Sequence, residues 1–84
     1  MTNKLKEMMK QLIDGAYDCN DFSYDFPYEM FGLTDTKAAQ ILDDMPEICA
    51  AYDPYKEDEP DILNGDELIQ KVKEVYQKLI EAGY

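Results

Sequence analysis

The sequence predicts an all-α domain, a compact four-helix bundle, and three observations carry that expectation. Apolar residues recur at three- and four-residue steps through four separate segments, the period that gathers side chains on one face of a helix. No pair of alternating segments joined by a hairpin turn appears. The length of 84 residues suits a single domain spanning residues 1–84, whose core must come from a few elements packed together. Candidates for that core are Leu5, Met8, Met9, Leu12, Ile13, Phe22, Phe26, Ile41, Leu42, Met45, Ile48, Val72, Val75, Leu79 and Ile80.

The first helix carries Leu5, Met8, Met9, Leu12 and Ile13, with Asn3 as its expected cap and Gly15 as its stop. Asp18 then offers a carboxylate at the start of a second helix, with Asp21 three residues on, and Phe22 and Phe26 point the same way. Pro27 lacks an N–H and its ring presses on the carbonyl four residues back, so a kink or restart is expected near Asp25. That would leave Tyr28, Met30 and Phe31 in a short turn ending at Gly32. A third helix opens at Thr34 or Asp35 and carries Ala38, Ile41, Leu42, Met45, Ile48, Cys49 and Tyr52 in register. Pro46 lies inside it, and Asp44 with Glu47 three residues on could cap a restart. One kinked helix and two abutting helices are both open. Prolines, a glycine and a run of acids make the stretch from Asp53 to Gly65 a loop, pinned by Ile62 and Leu63. The last helix begins at Asn64, with Glu67 as reciprocal capping partner. Leu68, Ile69, Val72, Val75, Tyr76, Leu79 and Ile80 form its inward stripe, and Lys71, Lys73 and Lys78 line the solvent side.

Nineteen acidic side chains against eight basic ones, with no histidine, give a formal net charge of -11. The usual magnitude for a small domain is roughly 2–8. Such a field repels nucleic-acid backbones and anionic membranes, so neither is expected as a direct partner, and it favours a basic protein. Cys19 and Cys49 belong to no Cys-x-x-Cys pattern and suit small buried positions in a reducing cytoplasm. Lysines and a glutamate interrupt the first apolar segment, so it does not read as a signal peptide, and no stretch is long or apolar enough to span a bilayer. The cytoplasm is the expected location.

Catalysis is not expected. Without histidine the chain lacks the side chain that most readily exchanges protons near neutrality, and a principal ligand for transition metals. The cysteines have no basic cluster in sequence to lower their pKa. Carboxylate pairs such as Asp43 with Glu47 arise by chance in so acidic a chain. The segment from Asp53 to Asn64 fails as a calcium loop, because Tyr55, Asp58 and Asn64 fall at its third, sixth and twelfth positions. No cofactor and no metal is expected.

A binding surface remains. From Asp43 to Glu67 the acids Asp43, Asp44, Glu47, Asp53, Glu57, Asp58, Glu59, Asp61, Asp66 and Glu67 face a single base, Lys56. Tyr52 and Tyr55 lie among them. Tyrosine buries ring area while keeping its hydroxyl for a hydrogen bond. Negative charge would steer a basic partner and the rings would hold it. Tyr52 fits a place in the third helix's core stripe as well as a place in an interface, whereas Tyr55 lies outside any helical stripe and suits the interface.

Four stretches also resemble a known family. These are Leu5-Lys-Glu-Met-Met-Lys-Gln-Leu-Ile, Asp21-Phe-Ser-Tyr-Asp-Phe, Ala51-Tyr-Asp-Pro and Asp66-Glu-Leu-Ile-Gln-Lys-Val-Lys. Together they make nearly the whole chain similar to the colicin D-like immunity proteins, which include immunity proteins of contact-dependent growth inhibition systems acting against transfer-RNA-cleaving toxins. The resemblance implies a small helical bundle that binds the basic C-terminal nuclease domain of a cognate bacterial toxin and covers its active-site cleft, and the chain's charge, which resists self-association, suits a monomer. By the same resemblance Asp53 would present the inhibitory carboxylate. The acids Glu57, Asp58, Glu59 and Asp61 would extend that face, and the residue pattern adds Tyr52 and Tyr55 to the toxin-binding surface, with Asp43, Asp44 and Glu47 at its periphery. Pro27 and Pro46 depart from the family pattern. The competing expectation is an acidic adaptor or nucleic-acid mimic that binds a basic cellular protein other than a toxin.

Overall fold

The computed structural model describes residues 2–55 and 62–84. Among them the chain forms five helices: α1 (Thr2–Ile13), α2 (Cys19–Met30), α3 (Thr36–Ile41), α4 (Met45–Ala50) and α5 (Gly65–Glu81). The described residues include no strand, only an isolated parallel bridge between Tyr52 and Leu63. The class is all-α as expected, but the helix count differs from four because the third segment divides at Pro46. A continuous helix would press the Pro46 ring against the Leu42 carbonyl and leave that oxygen without its donor. Instead Met45 N–H donates to it at 3.0 Å in a tighter turn, and α4 starts afresh with Pro46 in its first turn. Asp44 stands at the cap position of α4 but its side chain makes no capping bond.

Pro27 behaves in the opposite way. Rather than ending α2 near Asp25, it lies inside a helix that continues to Met30. Tyr28 and Met30, expected in a turn, are therefore helical, and Phe31 caps the end. Immediately before Pro27, Phe22 and Phe26 are fully buried with their rings stacked 4.9 Å apart, and partly buried Met30 packs against the same core. Burial on both sides of the proline holds the helical path.

Most termini follow local chemistry. The Asp18 side chain accepts from the N–H groups of Asn20 and Asp21, and that of Asp35 accepts from Ala38 N–H at 3.1 Å. Asn64 and Glu67 form a complete capping box. Gly15, at φ +81°, ends α1 in a Schellman turn, with Ala16 N–H donating to the Gln11 carbonyl at 2.8 Å. Asn3 is not a cap, because α1 already includes Thr2.

The core is continuous across α1, α2, α4 and α5, with Leu42 just after α3. Leu5, Met9 and Leu12 meet Phe22, Phe26, Met45, Leu68, Val72 and Leu79 there, all essentially without solvent contact. Ala38 is buried too. Four of the expected core positions differ. Ile13, Ile41 and Ile48 are only partly buried, and Ile80 is 41% exposed. The inward line of α5 runs Leu68, Val72, Val75 and Leu79, and Ile80, one residue farther, is turned about 100° away from it. Tyr84 fastens the far end, its hydroxyl donating to Asp35 Oδ2 at 2.7 Å while Lys6 Nζ donates to its carbonyl oxygen at 2.7 Å. The Tyr84 bond, followed by the Ala38 N–H, holds the Asp35 carboxyl below the usual carboxylate range. No helix among the described residues is long and apolar enough to cross a membrane.

Candidate functional site

The segment after α4 is held at both ends by backbone. Leu63 N–H donates to the Ala51 carbonyl at 2.7 Å, and Asp53 N–H donates to the Leu63 carbonyl at 2.9 Å. This short ladder fixes where Tyr52 and Asp53 stand. The Asp53 carboxylate is exposed, and one of its oxygens accepts from Tyr55 N–H at 2.8 Å, an Asx-turn closed across Pro54. Tyr55 is 87% exposed. Tyr52 is partly buried and packs against the core, so its ring belongs to the edge of the interior, and burial raises its phenol pKa. Glu57, Asp58, Glu59 and Asp61 lie outside the described residues, as does Lys56.

Asp43, Asp44 and Glu47 are exposed. Asp44 and Glu47 line a groove of about 480 Å³ against α5, where Lys71 and Lys78 also stand. Tyr52 and Pro54 line a different depression, of about 290 Å³, shared with Asn20, Ser23 and Tyr24 of α2. The structure therefore joins the Tyr52 segment to α2 and places Asp44 and Glu47 beside lysines.

That connection exposes residues that the sequence reading left out. Tyr24, Tyr28 and Phe31 are 82%, 74% and 87% exposed. Their spacing of four and three residues aligns them along one side of α2, and the rings of Tyr28 and Phe31 meet edge to face at 6.1 Å. Asp21, Asp25 and Glu29 repeat at four-residue steps on the adjoining side. Scattered exposed hydrophobics are ordinary, but aromatics aligned on one helix face beside carboxylates form a surface suited to a partner. A sequence signal for it exists. Asp14, Asp18, Asp21, Asp25, Glu29 and Asp35 occur with no base between Gln11 and Thr36, and Tyr17, Tyr24, Tyr28 and Phe31 are interleaved with them. Only a continuous α2 turns that interleaving into a face.

A groove of about 720 Å³ runs between α1 and α2, with Tyr17, Tyr24 and Tyr28 on one wall and Glu7, Met8 and Gln11 on the other. Tyr17 donates its hydroxyl to Asp25 Oδ2 at 2.6 Å. Partial burial, and then the Asp25 carboxylate, push the Tyr17 phenol up to about 12. Lys4 pairs with Glu29 at 3.0 Å at the edge of the groove. Tyr24 lines this groove and the Tyr52 depression alike, and so links the two.

Neither thiol is poised for chemistry. Cys49 is buried, and desolvation raises its pKa to about 12; burial and then Asp18 and Asp66 raise that of half-buried Cys19. Both are free thiols.

The chain matches no family model, no curated protein and no solved structure. Fold and surface define it at the level of class: a small, strongly acidic, all-α domain that displays tyrosines and carboxylates together along α2 and the end of α4.

Proposed function

We propose that this chain is an immunity-type inhibitor that binds the basic nuclease domain of a transfer-RNA-cleaving toxin and fills its active-site cleft. The observation that supports the reading best is the junction of the Tyr52–Tyr55 segment with α2. There an anchored Asp53, the exposed Tyr55 and the shared Tyr24 depression present carboxylate and ring together. A nuclease of this kind must hold several phosphates with Lys and Arg, and carboxylates at matching spacing can occupy the same cations without any chemistry by the inhibitor. The resemblance at Tyr52-Asp53-Pro54 points to the same segment. Discrimination between toxins would come from shape and from the cost of leaving charges unpaired in the wrong cleft.

The test is to capture the basic protein that the purified chain binds in its source cell and to measure transfer-RNA cleavage by that partner with and without the chain. Stoichiometric protection supports the proposal. A basic partner with no nuclease activity, or a nuclease unaffected by the chain, replaces it with the acidic-adaptor reading. Asp53→Lys should cost roughly 2–5 kcal/mol of binding if its ion pair is buried and hydrogen-bonded. Because Asp53 also closes the turn at Tyr55, Asp53→Asn is the informative companion: it keeps an oxygen for the turn and removes only the charge. Binding kinetics should show faster dissociation for both variants, while Glu81→Lys, at an exposed position on the last turn of α5, leaves protection from cleavage intact.

A further inference from the structure

We propose that the groove between α1 and α2 is a receptor for an arginine side chain on an extended segment of a basic protein partner. The groove holds about 720 Å³, room for an arginine together with the backbone that flanks it. The largely exposed rings of Tyr24 and Tyr28 line one wall. Three carboxylates, Glu7, Asp25 and Glu29, line it against one ammonium, Lys4, which is already paired with Glu29. Glu7 makes no hydrogen bond or ion pair among the described residues, and Asp25 keeps one oxygen free of the Tyr17 bond. The Tyr17 hydroxyl retains its proton through the neutral range, so the bond that orients Asp25 persists there.

Charge decides the sign of the ligand, and geometry decides its identity. An anion would meet a chain of net charge -11 and a groove with three carboxylates. A lysine ammonium is compact and strongly hydrated. A guanidinium is flat and weakly hydrated, stacks on tyrosine and directs paired N–H groups to a carboxylate. Tyr28, Asp25 and Glu7 line the same groove, and between them they offer both kinds of contact. This site does not depend on the toxin reading, because any basic protein with an accessible arginine could use it.

The probe is the peptide acetyl-Gly-Gly-Arg-Gly-Gly-amide, titrated into the isotope-labelled full chain and followed by nuclear magnetic resonance. Counterparts carrying lysine or citrulline in place of arginine complete the series. A single side chain should bind weakly, with a Kd on the order of millimolar. The arginine peptide should move the ring signals of Tyr17, Tyr24 and Tyr28 more than the lysine peptide does, and the citrulline peptide should barely move them. Tyr28→Ser and Glu7→Gln, both exposed positions, should each weaken binding about threefold while the amide spectrum stays that of the folded chain. Equal responses to arginine and lysine would overturn the arginine assignment. Shifts confined to Tyr55 or α5, or no shift up to the peptide's solubility limit, would remove the site altogether. None of these outcomes bears on inhibition of a nuclease, which the cleavage assay reads separately.

Discussion

α5, the longest helix at 17 residues, and α2, at 12, contrast in how they use their outward side. α5 opens with a capping box, closes on Gly83 at φ +96°, buries Leu68, Val72, Val75 and Leu79, and turns lysines and glutamates to solvent. Each local feature agrees with its place in the fold. α2 buries Phe22 and Phe26 as firmly, yet it carries a proline in its interior, aligns three acids at four-residue steps and leaves Tyr24, Tyr28 and Phe31 in water. Like charges at that spacing cost about 0.2–0.5 kcal/mol per pair, and an interior proline about 3 kcal/mol. The inward face of α2 supports the fold, whereas its outward face breaks local rules that α5 obeys. Departures of this kind concentrate at functional surfaces.

The largest expected effect tests whether the inward faces are equivalent. Phe26→Ala should destabilise the chain by about 3–5 kcal/mol, comparable with about 2–5 kcal/mol for Leu79→Ala, as read by thermal melts in circular dichroism. A loss well under 1 kcal/mol at Phe26 would mean that α2 is only loosely attached and would break the comparison. Next in size, and opposite in sign, Pro27→Ala should stabilise by about 2 kcal/mol, because helix propensity gained exceeds the unfolded-chain entropy that proline removes. For a chain of this length that is a rise in Tm of roughly 4–8 °C per kcal/mol. A fall in Tm would show that Pro27 packing outweighs its backbone penalty.

Asn64→Ala should cost about 1 kcal/mol, since it removes the acceptor of the Glu67 N–H bond at 2.9 Å in the capping box of α5. The same replacement at Asp44 should cost much less, because that side chain makes no capping bond to α4. Chemical-denaturation midpoints would compare the two. The smallest effect sharpens the contrast most: Tyr28→Ser should change stability by no more than about 0.5 kcal/mol, because the ring is 74% exposed. A large loss there would return the outward face of α2 to the core.

How much was legible follows the range of the interactions concerned. Asp18, Asp35 and Asn64 could be read as caps because a cap needs only its own next three residues. The inward stripe of α5 was visible as a period of 3.6, except that Ile80 lies just past its edge. The two prolines were read alike, and they act differently. The pieces of the candidate surface on α4 and the following segment are visible as acids and tyrosines, but on α2 the expected break at Pro27 puts Tyr28 and Phe31 in a turn and separates them from Tyr24.

By itself, then, the sequence determined an acidic all-α chain, its inward stripes and most of its helix starts, all consequences of spacing and of contacts within a turn or two of chain. The tertiary structure alone decided that α2 runs through Pro27, because the burial of Phe22, Phe26 and Met30 outweighs a lost backbone bond, and that α3 and α4 separate at Pro46. It alone brought Tyr24 beside Tyr52 and Pro54 and set Asp44 and Glu47 next to Lys71 and Lys78. Those neighbours are remote in sequence, and only the packing of one helix on another determines which side chains share a face.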